Sequence, residues 1–198
     1  MDDRVAATLR EDPTMAALID RHGSLEIEPA DDEFGRLCTS IVNQQLSTAS
    51  AAAIHERFRD ALDGDVTPAR VLAADERRLR DAGLSGTKVE YLRAAATAFN
   101  DGATDLTRAG LADLSDEEVV GRLTEIRGVG DWTARMYLIF ALGREDVFPL
   151  GDLAVRKGIE RIYNDGGALT RDEMRGIAAA WRPYRSYGTR YVWAVYES

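Results

Sequence analysis

The residues of this chain best placed to do chemistry lie between Leu123 and Asp152, in LTEIRGVGDWTARMYLIFALGREDVFPLGD. Leu123, Ile126 and Val129 have the apolar spacing of a helix end, and Gly128-Val129-Gly130 supplies a turn whose two glycines tolerate positive φ. A second helix opens at Asp131, repeats Trp132, Met136, Ile139 and Phe140 along one face, and closes near Gly143. A helix start fed by such a turn presents free backbone N–H groups, which suit an anion such as a phosphate. A short Pro-containing connection then sets one carboxylate, Asp152, in front of a third helix. On spacing alone Asp152 is the N-cap of the helix that starts at Leu153.

The elements that must hold these groups read as helices almost throughout. Residues 2–11 and 13–22 give two short helices, the second opened by Pro13 in its first turn and closed by Gly23. SLEIEPADD is extended or turn-like, and Asp31 or Asp32 caps a helix running to about Gln45. That helix carries Phe34, Leu37, Cys38, Ile41 and Val42 on one face, so Cys38 reads as a small core residue rather than a nucleophile. Asn43-Gln44-Gln45-Leu46-Ser47 interrupts the pattern, and Ser47 is a routine cap for the Ala-rich helix that continues to about Leu62. Short helices follow near Pro68–Ala74 and Asp75–Ala82. A tight loop then leads to a helix with Leu84, Val89, Leu92 and Ala96 inward, ended by Asp101-Gly102. Ser115 and Glu118 form a capping box for the helix that enters the glycine turn. Beyond Asp152, Leu153, Val155, Ile159 and Ile162 are available to the core. Thr170 with Glu173 boxes a further helix, and an aromatic-rich helix from about Pro183 closes the chain. No strand pattern or repeat competes, and the fold class is all-α.

Composition bounds the partners. At 198 residues the chain can bury a real core as one domain or two intimate helical lobes. No run is long and apolar enough to span a bilayer, and the acidic start MDDRVAATLRED is unlike a signal peptide, so a cytoplasmic protein is expected. The single Cys38 excludes an internal disulfide, and no Cys/His cluster offers a metal site. A formal net charge of −9 argues against nucleic acid at first sight. The distribution softens this: residues 1–40 hold four Arg against ten acids, whereas residues 174–198 hold four Arg against Glu197 alone. Lysine is confined to Lys88 and Lys157, and with so many acids this hints at a salt-loving source.

LxxIxGVGxWTA, followed by VFPLGDLAVRKG, resembles the helix-hairpin-helix (HhH-GPD) DNA glycosylase superfamily, and within it the alkylbase-excising 3-methyladenine DNA glycosylase II branch. The likeness extends over roughly Asp31 to Trp193. It implies a single compact unit of two closely packed helical lobes with the active-site cleft between them. The wedge-bearing lobe would span about 31–112, and the hairpin, the catalytic acid and the C-terminal helices 113–198. The chain is too short for the extra mixed α/β domain of the best-known member, so the compact form is expected.

The resemblance also implies roles. Asp152 would stabilise the oxocarbenium-like sugar and orient or deprotonate the attacking water. An N3- or N7-alkylated purine is cationic and leaves neutral, so no protein acid is needed. Trp132 and Trp193, with Met136 and Leu153, would wall the pocket for the flipped base, aromatic faces suiting a cation. Where the best-known member has tyrosines, this chain has Met136 and Leu153. In the QQLS segment Leu46 would wedge into the stack, with Gln45 and Ser47 beside it. Gly128, Val129, Gly130 and Thr133 would hold a phosphate, hairpin carbonyls a monovalent cation, and Lys88 a second phosphate. Strand-cutting relatives carry a nucleophilic lysine where this chain has Trp132, so no lyase activity is expected. Neither another cofactor nor an iron–sulfur cluster is implied. The implied partner is duplex DNA with alkylated bases, met by a nucleoid-associated monomer. The main rival is a non-catalytic helix-hairpin-helix DNA-binding module, in which Asp152 would be dispensable. Composition alone also admits an acidic helical interaction protein.

Overall fold

The computed structural model describes residues 1–45, 48–102 and 104–197. Among them the regular structure is helical, with no strand. In chain order the helices are α1 (Asp3–Leu9), α2 (Pro13–His22), α3 (Glu33–Asn43) and α4 (Thr48–Ala61). Next come α5 (Pro68–Ala73), α6 (Glu76–Asp81), α7 (Gly86–Asn100) and α8 (Asp116–Thr124). The last are α9 (Asp131–Phe140), α10 (Leu153–Tyr163), α11 (Arg171–Ala179) and α12 (Arg185–Glu197). Their starts follow from the sequence. Asp12 caps α2 ahead of Pro13, and Asp32 caps α3 by accepting from the Gly35 N–H at 2.9 Å. Ser115 with Glu118 and Thr170 with Glu173 complete both capping boxes. Each such cap contributes about 1 kcal/mol.

Two compact units divide the chain: Ala30–Leu142, and Met1–Pro29 together with Gly143–Ser198. In the first, α3 is central and packs on α4, α7 and α9. Its predicted face is buried from Phe34 through Leu37, Cys38 and Ile41 to Val42, as are Leu84, Val89, Leu92 and Ala96. Phe99 bridges the Phe34 and Tyr137 rings edge-on, and the buried Tyr137 hydroxyl donates to the Leu106 carbonyl at 2.6 Å. The helix-hairpin-helix α8–α9 falls in this unit, because α9 packs on both α8 and α3. The sequence reading instead grouped it with Asp152 and the C-terminal helices.

The second unit is built around α12, which packs on α10, α11 and α2. Residues 1–29, without a role in the sequence reading, are part of its core: Val5, Leu9 and Met15 are buried with Val155, Ile159 and Trp181. Asp12 accepts from the Trp181 indole at 3.2 Å and from the Tyr163 hydroxyl at 2.5 Å, and Tyr191 donates to the Gly23 carbonyl at 2.9 Å. One helix face departs from expectation. Leu153 is 56% exposed rather than core, because the first turn of α10 is turned outward while Val155 and Ile159 are buried.

Candidate active site

The hairpin places its two glycines for different reasons. Gly128 has φ +91, and a Cβ there would collide with the Tyr91 ring, so both backbone and packing demand glycine. Gly130 has φ −95, an ordinary extended value, so of the two glycines that tolerate positive φ only Gly128 adopts it. A Cβ on Gly130 would meet no atom of the chain. Gly130 is also the N-cap of α9, and no side chain caps that helix. Helices α1, α2, α3, α5, α6, α7, α8, α10 and α11 each have a side-chain acceptor there. The α9 start is thus open in space and uncapped by side chains, the geometry an anion needs. Trp132 follows, half-buried. Met136 and Thr133 are buried, at 5% and 2% exposure.

The turn after α3 leans on this hairpin within the same unit. Gln44 Nε2 donates to the Gly128 carbonyl at 2.9 Å and to Thr133 Oγ1 at 3.1 Å. Helix α3 stops at Asn43, two residues short of expectation, because Gln44 (φ −51, ψ 125) and Gln45 (φ 58) leave helical geometry. Gln45 is exposed. Leu46 and Ser47, the expected wedge and cap, lie outside the described residues. Lys88 does not extend into solvent: its Nζ donates to the Val42 carbonyl at 2.7 Å, and burial pushes its pKa down. That bond anchors the last turn of α3 and uses one of the three Nζ protons. His55 Nε2 meets Asn43 Oδ1 at 2.8 Å. Burial, with Arg36, Arg59 and Lys88 nearby, holds its pKa below the usual value.

In the other unit Asp152 caps α10, its Oδ1 accepting from the Val155 N–H at 2.8 Å. The Trp193 indole donates to the same oxygen at 3.4 Å, so two residues predicted from spacing meet here. Arg156 braces the approach by donating to the carbonyls of Leu150 at 3.2 Å and Gly151 at 2.7 Å. A Cβ on Gly158 would lie 2.5 Å from Val192 Cγ1 and 2.9 Å from its carbonyl oxygen. Glycine there lets α10 and α12 pack closely enough for Trp193 to reach Asp152. Exposed Leu153 follows the acid directly.

Sequence reasoning missed Gln44, Tyr91, Arg156 and Gly158. A glycine inside the amphipathic pattern of α10 was the one available signal, since an interior glycine usually marks a close packing approach. The others act through tertiary contacts that no local pattern encodes.

The family model for HhH-GPD superfamily base excision DNA repair proteins matches residues 38–183. The chain belongs to this superfamily. DNA-3-methyladenine glycosylase 1 of Schizosaccharomyces pombe is 31% identical over 164 residues, covering 82% of this chain and 72% of the yeast protein. The Saccharomyces cerevisiae DNA-3-methyladenine glycosylase is 29% identical over 84% of this chain. The chain spans 58% of that protein's length and 66% of a Bacillus subtilis relative's. Among solved structures, the Bacillus halodurans DNA-3-methyladenine glycosidase has a TM-score of 0.83 at 29% identity, covering 100% of this chain and 90% of that one. The S. pombe glycosylase Mag1 in complex with abasic DNA has a TM-score of 0.86 at 29% identity, covering 96% and 95%. Against this HhH-GPD background, no group of three or more His, Cys, Asp or Glu among the described residues could hold a metal. No helix among them is long and apolar enough to cross a membrane.

Proposed function

We propose that the chain is a monofunctional DNA glycosylase that removes alkylated purines, of the 3-methyladenine and 7-methylguanine type, from duplex DNA and leaves an abasic site. The observation that carries the reading is the Asp152 carboxylate, fixed by the Val155 N–H and the Trp193 indole in a member of a base excision repair superfamily. Relatives named as 3-methyladenine glycosylases support the substrate class. The likeness to Mag1 bound to abasic DNA supports the product.

In this reading the target nucleotide leaves the stack, because its sugar carbon is poorly accessible inside a duplex. The C1′–N bond breaks with its electron pair moving to the cationic purine, which departs neutral. Positive charge develops on the sugar and is stabilised by the Asp152 carboxylate. A water oxygen then bonds C1′ and loses a proton to that carboxylate. The Val155 N–H and the Trp193 indole meet at Oδ1 and orient the carboxylate. Leu153, directly after the acid in the same unit, has an exposed side chain that suits contact with the flipped base rather than core. Tryptophan at position 132 provides no amine for a Schiff base, so strand cleavage is not expected.

The uncapped start of α9 is assigned to a backbone phosphate, received by N–H groups across the open face of Gly130. The carbonyls of Ile126, Gly128 and Gly130 each accept one hydrogen bond within their unit and keep a second lone pair. This oxygen-rich turn fits a monovalent cation, which when bound would add positive charge beside the phosphate. A grip of this kind uses few basic side chains, which reconciles an acidic protein with DNA.

Base release from methylated duplex DNA by wild type and Asp152→Asn tests the reading. Release of 3-methyladenine that collapses in the variant while DNA binding persists is the expected result. Wild-type protein that binds DNA but releases no base would leave the non-catalytic binding module as the better description.

A further inference from the structure

The end of α3 is held from several sides. Its last turn is anchored through the Val42 carbonyl by Lys88 of α7, through Asn43 by His55 of α4, and through Gln44 by the hairpin. Immediately beyond these anchors Gln45 sits at φ 58, a left-handed conformation that L side chains adopt reluctantly. Gln44, at φ −51 and ψ 125, has already left helical geometry, and a positive φ favours Gly or Asn at the position Gln45 occupies. A strained residue persists only where its surroundings over-determine it, and such residues concentrate at functional sites. Gln44 is the one of the three anchors that reaches the hairpin. Its amide meets the carbonyl of Gly128, the residue whose positive φ makes the hairpin turn, and the hydroxyl of Thr133 in the first turn of α9.

We propose that Gln44 is a positioning residue that locks the turn carrying Gln45 in register with the hairpin. The turn and the phosphate-binding start of α9 would then engage DNA as one rigid body. The reach to DNA rests on the glycosylase reading, whereas the coupling between turn and hairpin does not. Gln44 needs no contact with the nucleic acid. It acts by fixing Gly128 and Thr133 on one side and the strained Gln45 on the other, so the turn and a phosphate held at the hairpin keep a constant separation.

Hydrogen exchange of the free protein tests the coupling, and single-turnover base release from methylated duplex DNA tests its use. The variants are Gln44→Ala and Gln44→Glu. The second keeps the size but sets a carboxylate against the Gly128 carbonyl, so that bond is lost even if the Thr133 hydroxyl turns to donate, and thermal melting checks that each folds. The amides of Val129 and of residue 44, bonded to the Ile126 and Ile41 carbonyls, should exchange about tenfold faster in both variants, with α5 and α6 unchanged. Thr133→Val should loosen the Gln45 turn reciprocally, and Thr133→Ser, which keeps the hydroxyl acceptor, should restore its protection. Base release should slow by about 10–100-fold, the scale of a small misplacement, while affinity for undamaged duplex persists. Unchanged exchange in the hairpin of both Gln44 variants would overturn the lock, and so would faster exchange with release at the wild-type rate. If wild type itself releases no base while the exchange coupling holds, the glycosylase reading fails and the lock stands.

Discussion

Substituting the two hairpin glycines one at a time separates what the fold needs from what the ligand needs. Gly128→Ala forces a side chain into φ +91 and into the Tyr91 ring. The left-handed backbone costs about 1–2 kcal/mol, and overpacking adds about 1–3 kcal/mol. For a chain of this size the sum, roughly 2–5 kcal/mol, lowers the melting temperature by roughly 4–20 °C. Gly130→Ala meets neither obstacle, since φ is −95 and the new Cβ has no neighbour within 4 Å. The entropy removed from the unfolded chain stabilises by about 0.4–1 kcal/mol. Alanine's weaker performance at an N-cap offsets a similar amount. Gly130→Ala should therefore melt within a few degrees of wild type. Its methyl group nevertheless stands in the open space before the first N–H groups of α9. Loss of one or two charge-assisted hydrogen bonds to a phosphate, at about 1.5–3 kcal/mol, would weaken binding by roughly 10–100-fold. Fluorescence anisotropy with a duplex containing an abasic-site analogue, run beside thermal melting, measures both quantities. Wild-type affinity in a well-folded Gly130→Ala protein would refute an anion at the start of α9. A melting loss in Gly130→Ala equal to that of Gly128→Ala would refute the assignment of their different reasons.

Three further outcomes follow from the same geometry. Gly158→Ala would press on Val192 and move α10 from α12, so base release should fall at least tenfold while duplex affinity persists; intact release would detach Trp193 from the orientation of Asp152. Burial lowers the His55 pKa below its ordinary 6.5, so the unfolded chain takes the proton first and stability falls as pH drops below about 6.5. Melting between pH 7 and pH 5 should show that loss, reduced in His55→Gln; a pH-independent melting temperature over this range would contradict it. A hairpin grip made chiefly of backbone groups predicts a log–log slope of binding against KCl shallower than about −3, since each phosphate neutralised by Lys or Arg contributes about −0.9. A slope near −6 would reveal basic contacts this account omits. Protein that gains nothing in melting temperature from molar KCl would in addition remove the suggestion of a salt-loving source.

The helices and their caps were legible because their signals are local. Asp12-Pro13, Asp32, the Ser115–Glu118 box and the Thr170–Glu173 box each act within one turn, and each appears where the sequence puts it. Asp152 and Trp193 were singled out in another way, through spacing shared with a family rather than through any local rule, and the hydrogen bond between them was not foreseen. What the sequence concealed depends on contacts across many residues. Gln44 reaches residues 84 and 89 positions away, and nothing in Gln44-Gln45 says which of the two amides turns inward. Lys88 at a helix start resembles any solvated lysine until the Val42 carbonyl is found beneath it. Leu153 fits the apolar period of α10, yet the helix presents it to solvent.

The contrast between Gly128 and Gly130 carries the argument furthest. As letters they are equivalent, and a turn made of GVG invites one explanation for both. In three dimensions one is a residue the fold cannot replace, and the other is a residue the fold does not require. An amino acid kept small where nothing within the protein crowds it leaves room for something outside, and the uncapped helix start beside it selects for negative charge. For a chain of net charge −9 this matters, because the DNA binding proposed for it would draw on oriented N–H dipoles at a few positions more than on its overall field. The same economy explains the exposed Leu153 beside a carboxylate fixed from within its own unit.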